Sequence, residues 1–293
     1  MRKKFQSPRQ TRRDFLKKAA VSAVVAASPF GGAMAQIRRV DRIGLHLGSL
    51  RQELAADFEG TLEQVAEIGF TEMEFAGYHG KTPAAVRGAL EQCGLTSPAA
   101  HVDLGVLRQD LSREIDIAAS IGHQYLVVST LPEGERTLDD YRRHAETLNR
   151  AAEQCREAGI TIAYHNHDFE FEIQDGGRIG YDVLTSETES DLVMFEMDLF
   201  WVEAAGYDPK FYFLKYPGRY RLIHVRDRSA SGEMVAVGRG YINYSELFSY
   251  ARKGGFQHYF VGIDNPADGM DSLADSYQTV RDLRFNSSYE LPF

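Results

Sequence analysis

Cysteine is nearly absent from this sequence, and its scarcity excludes a zinc finger and a disulfide-stabilised small fold. Only Cys93 and Cys155 occur in 293 residues, and neither has a cysteine or histidine at zinc-finger spacing. Two cysteines cannot build a disulfide framework, so we interpret both as small buried hydrophobic side chains in helices. One disulfide between them is left open, because sequence alone cannot place it.

Long hydrophobic runs are also missing. The mild apolar run at residues 19–29 falls short of the roughly 20 residues that a membrane span needs. It follows the twin-arginine pair Arg12-Arg13 and precedes a small-residue cleavage site at Ala33-Met34-Ala35. This order of basic, apolar and small residues predicts a cleaved export signal over residues 1–35 and a periplasmic or secreted protein. An uncleaved tether is the alternative.

Positive charge is scarce once the predicted signal is set aside. The whole chain has 33 basic and 42 acidic residues, of which residues 1–35 hold eight and one. Residues 36–293 therefore keep 25 basic and 41 acidic residues, a formal charge of −16. Such a surface repels phosphate backbones and anionic membranes, so we expect neither nucleic acid nor a membrane as a partner. The sequence leaves open a homo-oligomer.

The sequence does contain a regular alternation of strand-like and helix-like segments. Eight short apolar runs are separated by helical patterns, one of which begins with Thr82 as N-cap and Pro83 in the first turn. No linker or low-complexity tract interrupts residues 36–293, which predicts one domain. Eight β–α units in about 250 residues predict a single (β/α)8 TIM barrel. An open doubly wound sheet is less favoured, because no glycine-rich phosphate loop follows the first strand.

Polar side chains stand at the carboxyl ends of seven of the predicted strands. In a TIM barrel these ends meet at one mouth, where active sites lie. A lone histidine or carboxylate there is more often a hydrogen-bonded or capping residue than a ligand, but so many together predict a site with mixed nitrogen and oxygen donors. The residues are His46, Glu74, His101, His165 with His167, Asp198, His224 and Asp264.

Five motifs are shared with a known family. They read Tyr-His-Asn-His-Asp-Phe-Glu-Phe at 164–171, Met-Asp-Leu-Phe-Trp-Val at 197–202, His-Val-Arg-Asp at 224–227, Val-Gly-Arg-Gly-Tyr-Ile-Asn-Tyr at 237–244 and His-Tyr-Phe-Val-Gly-Ile-Asp at 258–264. In these motifs the chain resembles the sugar phosphate isomerase/epimerase family, the xylose-isomerase-like TIM barrels, over essentially all of residues 36–293. The family includes ketose 3-epimerases, inosose isomerases and dehydratases, and enzymes of the endonuclease IV type, the last disfavoured here by charge.

The resemblance implies one divalent metal ion held by Glu, Asp, His and Glu on strands five to eight. Asp198 and His224 match their positions, whereas His165 and Gly262 stand where the two glutamates would be. Asp264 is the carboxylate nearest to Gly262. We therefore predict one bound ion (Mn²⁺, Zn²⁺, Co²⁺, Fe²⁺ or Mg²⁺). Its ligands, which we call the family set, are His165, Asp198, His224 and Asp264. Glu74 is an alternative to Asp264 as the fourth ligand.

The missing glutamates also remove the proton shuttle of the epimerases. Neutral histidines can serve as bases near pH 7, so we predict that acid–base function comes from His165, His167, Glu74 and His101. We interpret Glu170, beyond the strand tip, as structural. For substrate binding we predict His46, Trp201, Arg226 and Arg239, although the tryptophan could equally be core and the arginines solvated loop cations.

Three functions follow from this reasoning. The leading one is a metal-dependent isomerase or epimerase that removes a proton next to the carbonyl of an unphosphorylated sugar or keto-sugar. A lyase or hydratase acting on keto-sugars or 3-keto-glycosides needs the same chemistry with only one well-placed base. The non-enzyme alternative is a periplasmic sugar-binding or partner protein, which Gly262 favours.

Overall fold

The computed structural model describes residues 37–264, 266 and 269–286. Eight parallel strands close into a barrel in chain order, and β8 pairs with β1 through Val261 and Leu45. The predicted TIM barrel is therefore confirmed, and the closure rules out the open sheet. The barrel strands are β1 (Gly44–His46), β2 (Glu72–Phe75), β3 (Thr96–Val102), β4 (Tyr125–Val128), β5 (Thr161–His165), β6 (Val193–Asp198), β7 (Tyr220–Val225) and β8 (His258–Val261). Residues 1–35, the predicted export signal, lie outside the described residues.

Helices connect the strands and cover the outside of the barrel. They are α1 (Arg51–Ala56), α2 (Phe58–Ile68), α3 (Pro83–Cys93), α4 (Leu104–Gln109), α5 (Leu111–Ile121), α6 (Leu138–Glu157), α7 (Gly180–Glu187), α8 (Leu199–Ala204), α9 (Pro209–Lys215), α10 (Tyr244–Ser249), α11 (Ala251–Gly254) and α12 (Met270–Asp282). Three short 3₁₀ turns occur at Leu47–Leu50, Phe169–Phe171 and Asp175–Gly177. Two small antiparallel pairs join Ile37–Arg38 to Phe285–Asn286 and Asp227–Arg228 to Met234–Val235.

Local side-chain chemistry explains where two of the helices begin. The Thr82 hydroxyl accepts a hydrogen bond from the Ala85 amide, which confirms the predicted cap of α3. At α6, Thr137 and Asp140 form a reciprocal capping box. Each cap satisfies amides that the first helical turn leaves unpaired, and so fixes where the loop leaving the barrel ends.

The barrel interior is apolar below the mouth. Alternate residues of a strand point to the same side, and the inward residues pack into a cluster separate from the core between strands and helices. This cluster consists of Ala99, Tyr125, Val127, Ala163, Met194, Leu222 and Phe260. The next inward position toward the carboxyl end is two residues further along each strand. At that level the side chains become polar, so the apolar cluster is the floor on which the polar residues rest.

The opposite end of the barrel interior holds a small charged group. Glu72 accepts from Arg42 through Oε1 at 2.8 Å and lies 2.8 Å from His258 Nδ1 through Oε2. Both carboxylate oxygens therefore have a partner. We call Arg42, Glu72 and His258 the base cluster.

The fold also shows the state of the two cysteines. Cys93, at the end of α3, and the buried Cys155 of α6 are both free thiols, so no disulfide joins them. Among the described residues no helix combines the length and apolarity that crossing a membrane would require.

Candidate active site at the barrel mouth

Six side chains from six strands form one polar layer above the apolar floor, and we call it the mouth layer. It consists of His46, Glu74, His101, His165, Glu196 and His224. All are buried except His101, which is nearly so. The His224 ring centre lies 4.8 Å from that of His46 and 4.6 Å from that of His165. The predicted convergence of strand tips at the mouth is thus present in the structure for five of these residues.

Glu74 is the centre of the layer. Its Oε2 lies 2.6 Å from His224 Nε2, 2.7 Å from His46 Nδ1 and 3.3 Å from His101 Nε2. Burial alone would raise the pKa of Glu74, but attraction and hydrogen bonds from His101 and His224 hold it well below its ordinary value. Glu74 is therefore a buried carboxylate anion surrounded by three imidazoles.

Glu196 is a second carboxylate of the layer, and the sequence reasoning missed it. Its Oε2 lies 2.9 Å from His101 Nε2 and 3.2 Å from His224 Nε2. Burial, and then repulsion by Glu74, raises the pKa of Glu196 to about 7. The alternation along β6 could have revealed it, because Glu196 is two residues before Asp198 and so points to the same side.

Asp198 is occupied by partners other than a metal ion. Its Oδ1 accepts from the amides of Phe200 and Trp201 and so caps α8. Its Oδ2 lies 3.1 Å from Arg226 Nε and 3.2 Å from His165 Nε2. Burial would raise the pKa of Asp198, yet Arg226 and then the hydrogen bond from His165 hold it well below its ordinary value. Asp198 is a permanent anion that anchors a loop and an arginine.

Arg226 stands where the family pattern places the strand-eight glutamate. A Cβ added to Gly262 would lie 3.1 Å from Arg226 Nε and 3.5 Å from His46 Cβ. On its other side the guanidinium donates from Nη1 to Asp264 Oδ2 at 2.9 Å. The space next to Gly262 is therefore filled by a cation.

Three members of the predicted family set lie together, because Asp198 Oδ2 is 3.2 Å from His165 Nε2 and 3.4 Å from His224 Nδ1, whereas Asp264 faces Arg226. Asp264 is 51% exposed and is bonded to Arg226. Asp198 contacts the same guanidinium from the other side. A metal ion between these carboxylates would have to displace or adjoin a buried arginine, and like charges at such distances repel strongly in a low-dielectric site. Arg226 therefore disfavours a metal ion at the family set, whose role as ligands stays a prediction.

A different group of donors does fit a divalent ion. The donor atoms of His46, Glu74, His101 and His224 all lie within 4.8 Å of one another, as do those of His165, Glu196 and His224. Glu74 Oε1, Glu196 Oε1 and His224 Nδ1 are buried and make no hydrogen bond within the described part of the chain. Buried carboxylate oxygens are rarely left unpaired, and imidazole with carboxylate suits Mn²⁺, Fe²⁺, Co²⁺ or Zn²⁺.

His167 and Trp201 form the rim above the layer. The His167 side chain is 25% exposed and its ring centre lies 4.9 Å from that of His165 and 5.8 Å from that of Trp201. Burial lowers the pKa of His167 to about 4, so it is neutral near pH 7. Glu170 accepts from the His167 amide and the Tyr164 hydroxyl, which confirms its structural interpretation and holds the His167 backbone in place.

Arg239 is exposed and paired, and its role in substrate binding stays a prediction. Its side chain is 69% exposed and pairs with Asp275. The motif around it has a structural reason: the Asp227 carboxylate accepts from the amides of Gly238, Gly240 and Ile242. A side chain at Gly240 would collide with that carboxylate. The motif therefore folds the loop after β7 and leaves its arginine on the surface.

The fold and the site define the class of protein. Residues 62–285 match the family described as the xylose isomerase-like TIM barrel, and the chain belongs to that family. A sugar phosphate isomerase/epimerase from Parabacteroides distasonis is similar in structure, with 25% identity, a TM-score of 0.73 and coverage of 88% of this chain and 97% of that one.

Two other proteins are similar to this chain. An inosose dehydratase from Geobacillus kaustophilus is 26% identical over 192 residues, which cover 57% of this chain and 60% of that protein. The chain thus spans less than two thirds of the length of that curated relative. The IolI protein, whose crystal structure contains a bound zinc atom, is 13% identical with a TM-score of 0.65, over 82% of this chain and 97% of that one. At that identity the likeness shows the fold alone.

Proposed function

We propose that this protein is an exported enzyme that removes a proton from the carbon next to the carbonyl group of an unphosphorylated sugar or keto-sugar, as an isomerase or epimerase does. The observation that carries the proposal is the buried mouth layer of histidines and glutamates at the catalytic end of a TIM barrel. Family membership and the similarity to a sugar phosphate isomerase/epimerase and an inosose dehydratase support an enzyme rather than a binding protein.

Two side chains are suited to move the proton. Glu196 has a pKa raised to about 7 by burial and by Glu74, and a general base works best with a pKa near the working pH. His167 is neutral and reaches the rim, where a substrate arrives first. A base in the layer and a base at the rim could serve opposite faces of a sugar carbon, which is what epimerisation requires.

The remaining groups would bind and polarise the substrate. Trp201 stands beside His167 at the rim, where an aromatic face can pack on a sugar ring. Arg226 is a fixed cation between Asp198 and Asp264. A divalent ion held by histidine and glutamate donors of the mouth layer would stabilise the negative charge that develops on the carbonyl oxygen. The acidic surface and the predicted export favour an unphosphorylated substrate.

Dehydration is the second candidate reaction. It is favoured by the similarity to an inosose dehydratase, and it needs only one base to remove the proton and one acid to assist the departing hydroxyl. His167, which is neutral near pH 7, and Glu196 are the two groups placed to supply that pair. Both reactions share the first step, so one experiment tests both.

The test is solvent exchange. The full chain is incubated in deuterium oxide with Mn²⁺ or Co²⁺ and a panel of unphosphorylated keto-sugars, ketocyclitols and 3-keto-glycosides, and deuterium uptake is followed by NMR. We expect deuterium at the carbon next to the carbonyl, with an epimer or isomer if protonation follows and an unsaturated ketone if water is lost. A chain that takes up metal but exchanges no proton in any of these compounds contradicts the proposal and favours the binding role.

A further inference from the structure

We infer that the divalent ion is held by His46, Glu74, His101 and His224, near the carboxyl ends of β1, β2, β3 and β7, instead of by the family set. We call these four residues the inferred ligand set. The inference deepens the proposed function and rests on it for the use of the ion in catalysis. Binding of the ion itself is measured without turnover, so the two stand or fall separately.

The donor atoms of the inferred ligand set lie close together. Three imidazole nitrogens surround Glu74 Oε2: His224 Nε2 at 2.6 Å, His46 Nδ1 at 2.7 Å and His101 Nε2 at 3.3 Å. Ligand atoms around a tetrahedral ion with bonds of 2.0–2.2 Å are about 3.3 Å apart. Small movements of these side chains would therefore open a coordination site between them, since all four donors already lie within 4.8 Å of one another.

The charge of Arg226 disfavours a metal ion on one side of the mouth. Arg226 closes the β5–β8 side of the mouth, because it lies 3.1 Å from Asp198 Oδ2 and 2.9 Å from Asp264 Oδ2. A second cation placed among these carboxylates would meet the guanidinium at short range. Glu74 is instead surrounded by imidazoles, which bind a metal ion once they have given up their protons. The electrostatics therefore place a dication on the β1–β3 side.

His224 is the one residue common to the inferred ligand set and the family set, and its two ring nitrogens face different partners. Its Nδ1 lies 3.4 Å from Asp198 Oδ2, while its Nε2 faces Glu74 and Glu196. An ion bound at Nε2 would replace the proton between Nε2 and Glu74 and leave the remaining ring proton on Nδ1, which faces Asp198. Asp198 thus acts on the ion through His224 and does not bind it directly.

Two carboxylate oxygens of the mouth layer lack a hydrogen-bond partner in the described part of the chain. They are Glu74 Oε1 and Glu196 Oε1, and both are buried. Glu196 Oε2 lies 2.9 Å and 3.2 Å from the donor nitrogens of His101 and His224. A dication in the inferred ligand set would compensate both carboxylates, and Glu196 would stand beside it, available to move a proton.

Gly262 lies next to both Arg226 and His46. Its missing side chain removes the family's strand-eight ligand, and the same absence leaves room for Arg226 on one side and for His46 on the other. The glycine therefore accommodates both the guanidinium and a histidine of the inferred ligand set.

The test is Co²⁺ binding to the metal-stripped full chain, followed by the visible absorption of the bound ion and by calorimetry. We compare His46→Gln and His101→Gln, from the inferred ligand set, with His165→Gln and Asp264→Asn, from the family set. The first two variants should weaken Co²⁺ binding at least about a hundredfold, because loss of a direct ligand costs at least as much as loss of its outer partner. The second two should stay within about threefold of the original chain.

Folding is checked on each variant by circular dichroism and thermal melting, and two variants per set guard against one that fails to fold. Weakened binding in His165→Gln and Asp264→Asn with unchanged binding in His46→Gln and His101→Gln would overturn the inference, as would an original chain that binds none of Co²⁺, Mn²⁺ and Zn²⁺. If Co²⁺ binds as expected but no keto-sugar exchanges its proton, the inference holds and the proposed function fails.

Discussion

Glu72 and Glu74 lie two residues apart on β2, both buried, and they differ in how well they are paired. In the base cluster, Glu72 gives one oxygen to Arg42 and the other to His258. In the mouth layer, Glu74 places one oxygen among three imidazoles and leaves the other without a hydrogen bond in the described structure. A stable interior pairs its buried polar groups, so the incomplete pairing of Glu74 marks the mouth as the functional end.

The largest effect is expected from breaking this comparison directly. Glu74→Gln removes the central anion of the mouth layer, so proton exchange from a keto-sugar should fall roughly a thousandfold. Glu72→Gln should leave the exchange rate within about threefold but lower the free energy of unfolding by about 2 kcal/mol, the typical loss for a charge-assisted hydrogen bond. Exchange kinetics and urea unfolding on both variants measure the two effects. Similar exchange rates in both would show that the two ends are not functionally different.

Glu196→Gln sharpens the role of the mouth layer. The amide keeps the shape of the side chain but can neither accept nor release the substrate proton, so exchange should slow about a hundredfold. Exchange is measured at saturating Co²⁺, so that weaker metal binding does not contribute. If the rate falls less than threefold, Glu196 is not an acid–base group and its raised pKa has only a structural origin.

His123 extends the comparison to a fully partnered histidine outside the mouth. Its Nδ1–H donates to the Ser97 carbonyl at 2.8 Å, and its Nε2 accepts from the Tyr78 hydroxyl at 3.1 Å. Burial lowers its pKa to about 4, whereas the unfolded value is about 6.5. As the pH falls through that window the unfolded state binds a proton first, so stability present above pH 6.5 is lost toward pH 4, by roughly 3 kcal/mol.

Urea unfolding at pH 7.5 and 4.5 measures this loss, with His123→Gln as the control that lacks the titrating ring. The difference in pH dependence between the two chains isolates the histidine from other titrating groups. Equal slopes of stability against pH would mean that the buried His123 does not resist protonation.

The smallest effect is expected at Arg239. Its exposed pair with Asp275 is of a kind worth about 0–1 kcal/mol, so Arg239→Ala should leave exchange within twofold and stability nearly unchanged. Gly240→Ala, one residue later, forces a methyl group against Asp227 and should cost about 2 kcal/mol. Thermal melts of both variants test whether the motif is structural. A loss of exchange in Arg239→Ala alone would return that residue to the substrate site.

The sequence predicted the barrel and most of the mouth because both follow from local patterns. Alternating apolar runs and helices predict parallel strands, and in a barrel their tips must meet. His46, Glu74, His101, His165 and His224 were found on this ground alone. Short helices such as α4 and α8, of six residues each, have too few residues to show a clear periodicity in the sequence.

The features of the site that the sequence did not predict depend on contacts between distant strands. Reading only the tip of each strand selected Asp198 and missed Glu196, although both face inward. The place of Arg226 depends on Gly262, 36 positions away in sequence but its neighbour across β7 and β8. Asp198 was assigned to the metal because it matches the family's position on strand six, and its contacts with the start of α8 and with Arg226 became visible only in the fold.

In this account the carboxylate of Glu74 binds a divalent metal ion and that of Glu72 does not. The most direct measurement is the shift in melting temperature that saturating Co²⁺ produces in the original chain, in Glu72→Gln and in Glu74→Gln, since a ligand that binds only the folded state raises the melting temperature. We expect the shift to persist in Glu72→Gln and to vanish in Glu74→Gln. A shift of equal size in Glu74→Gln would contradict the account.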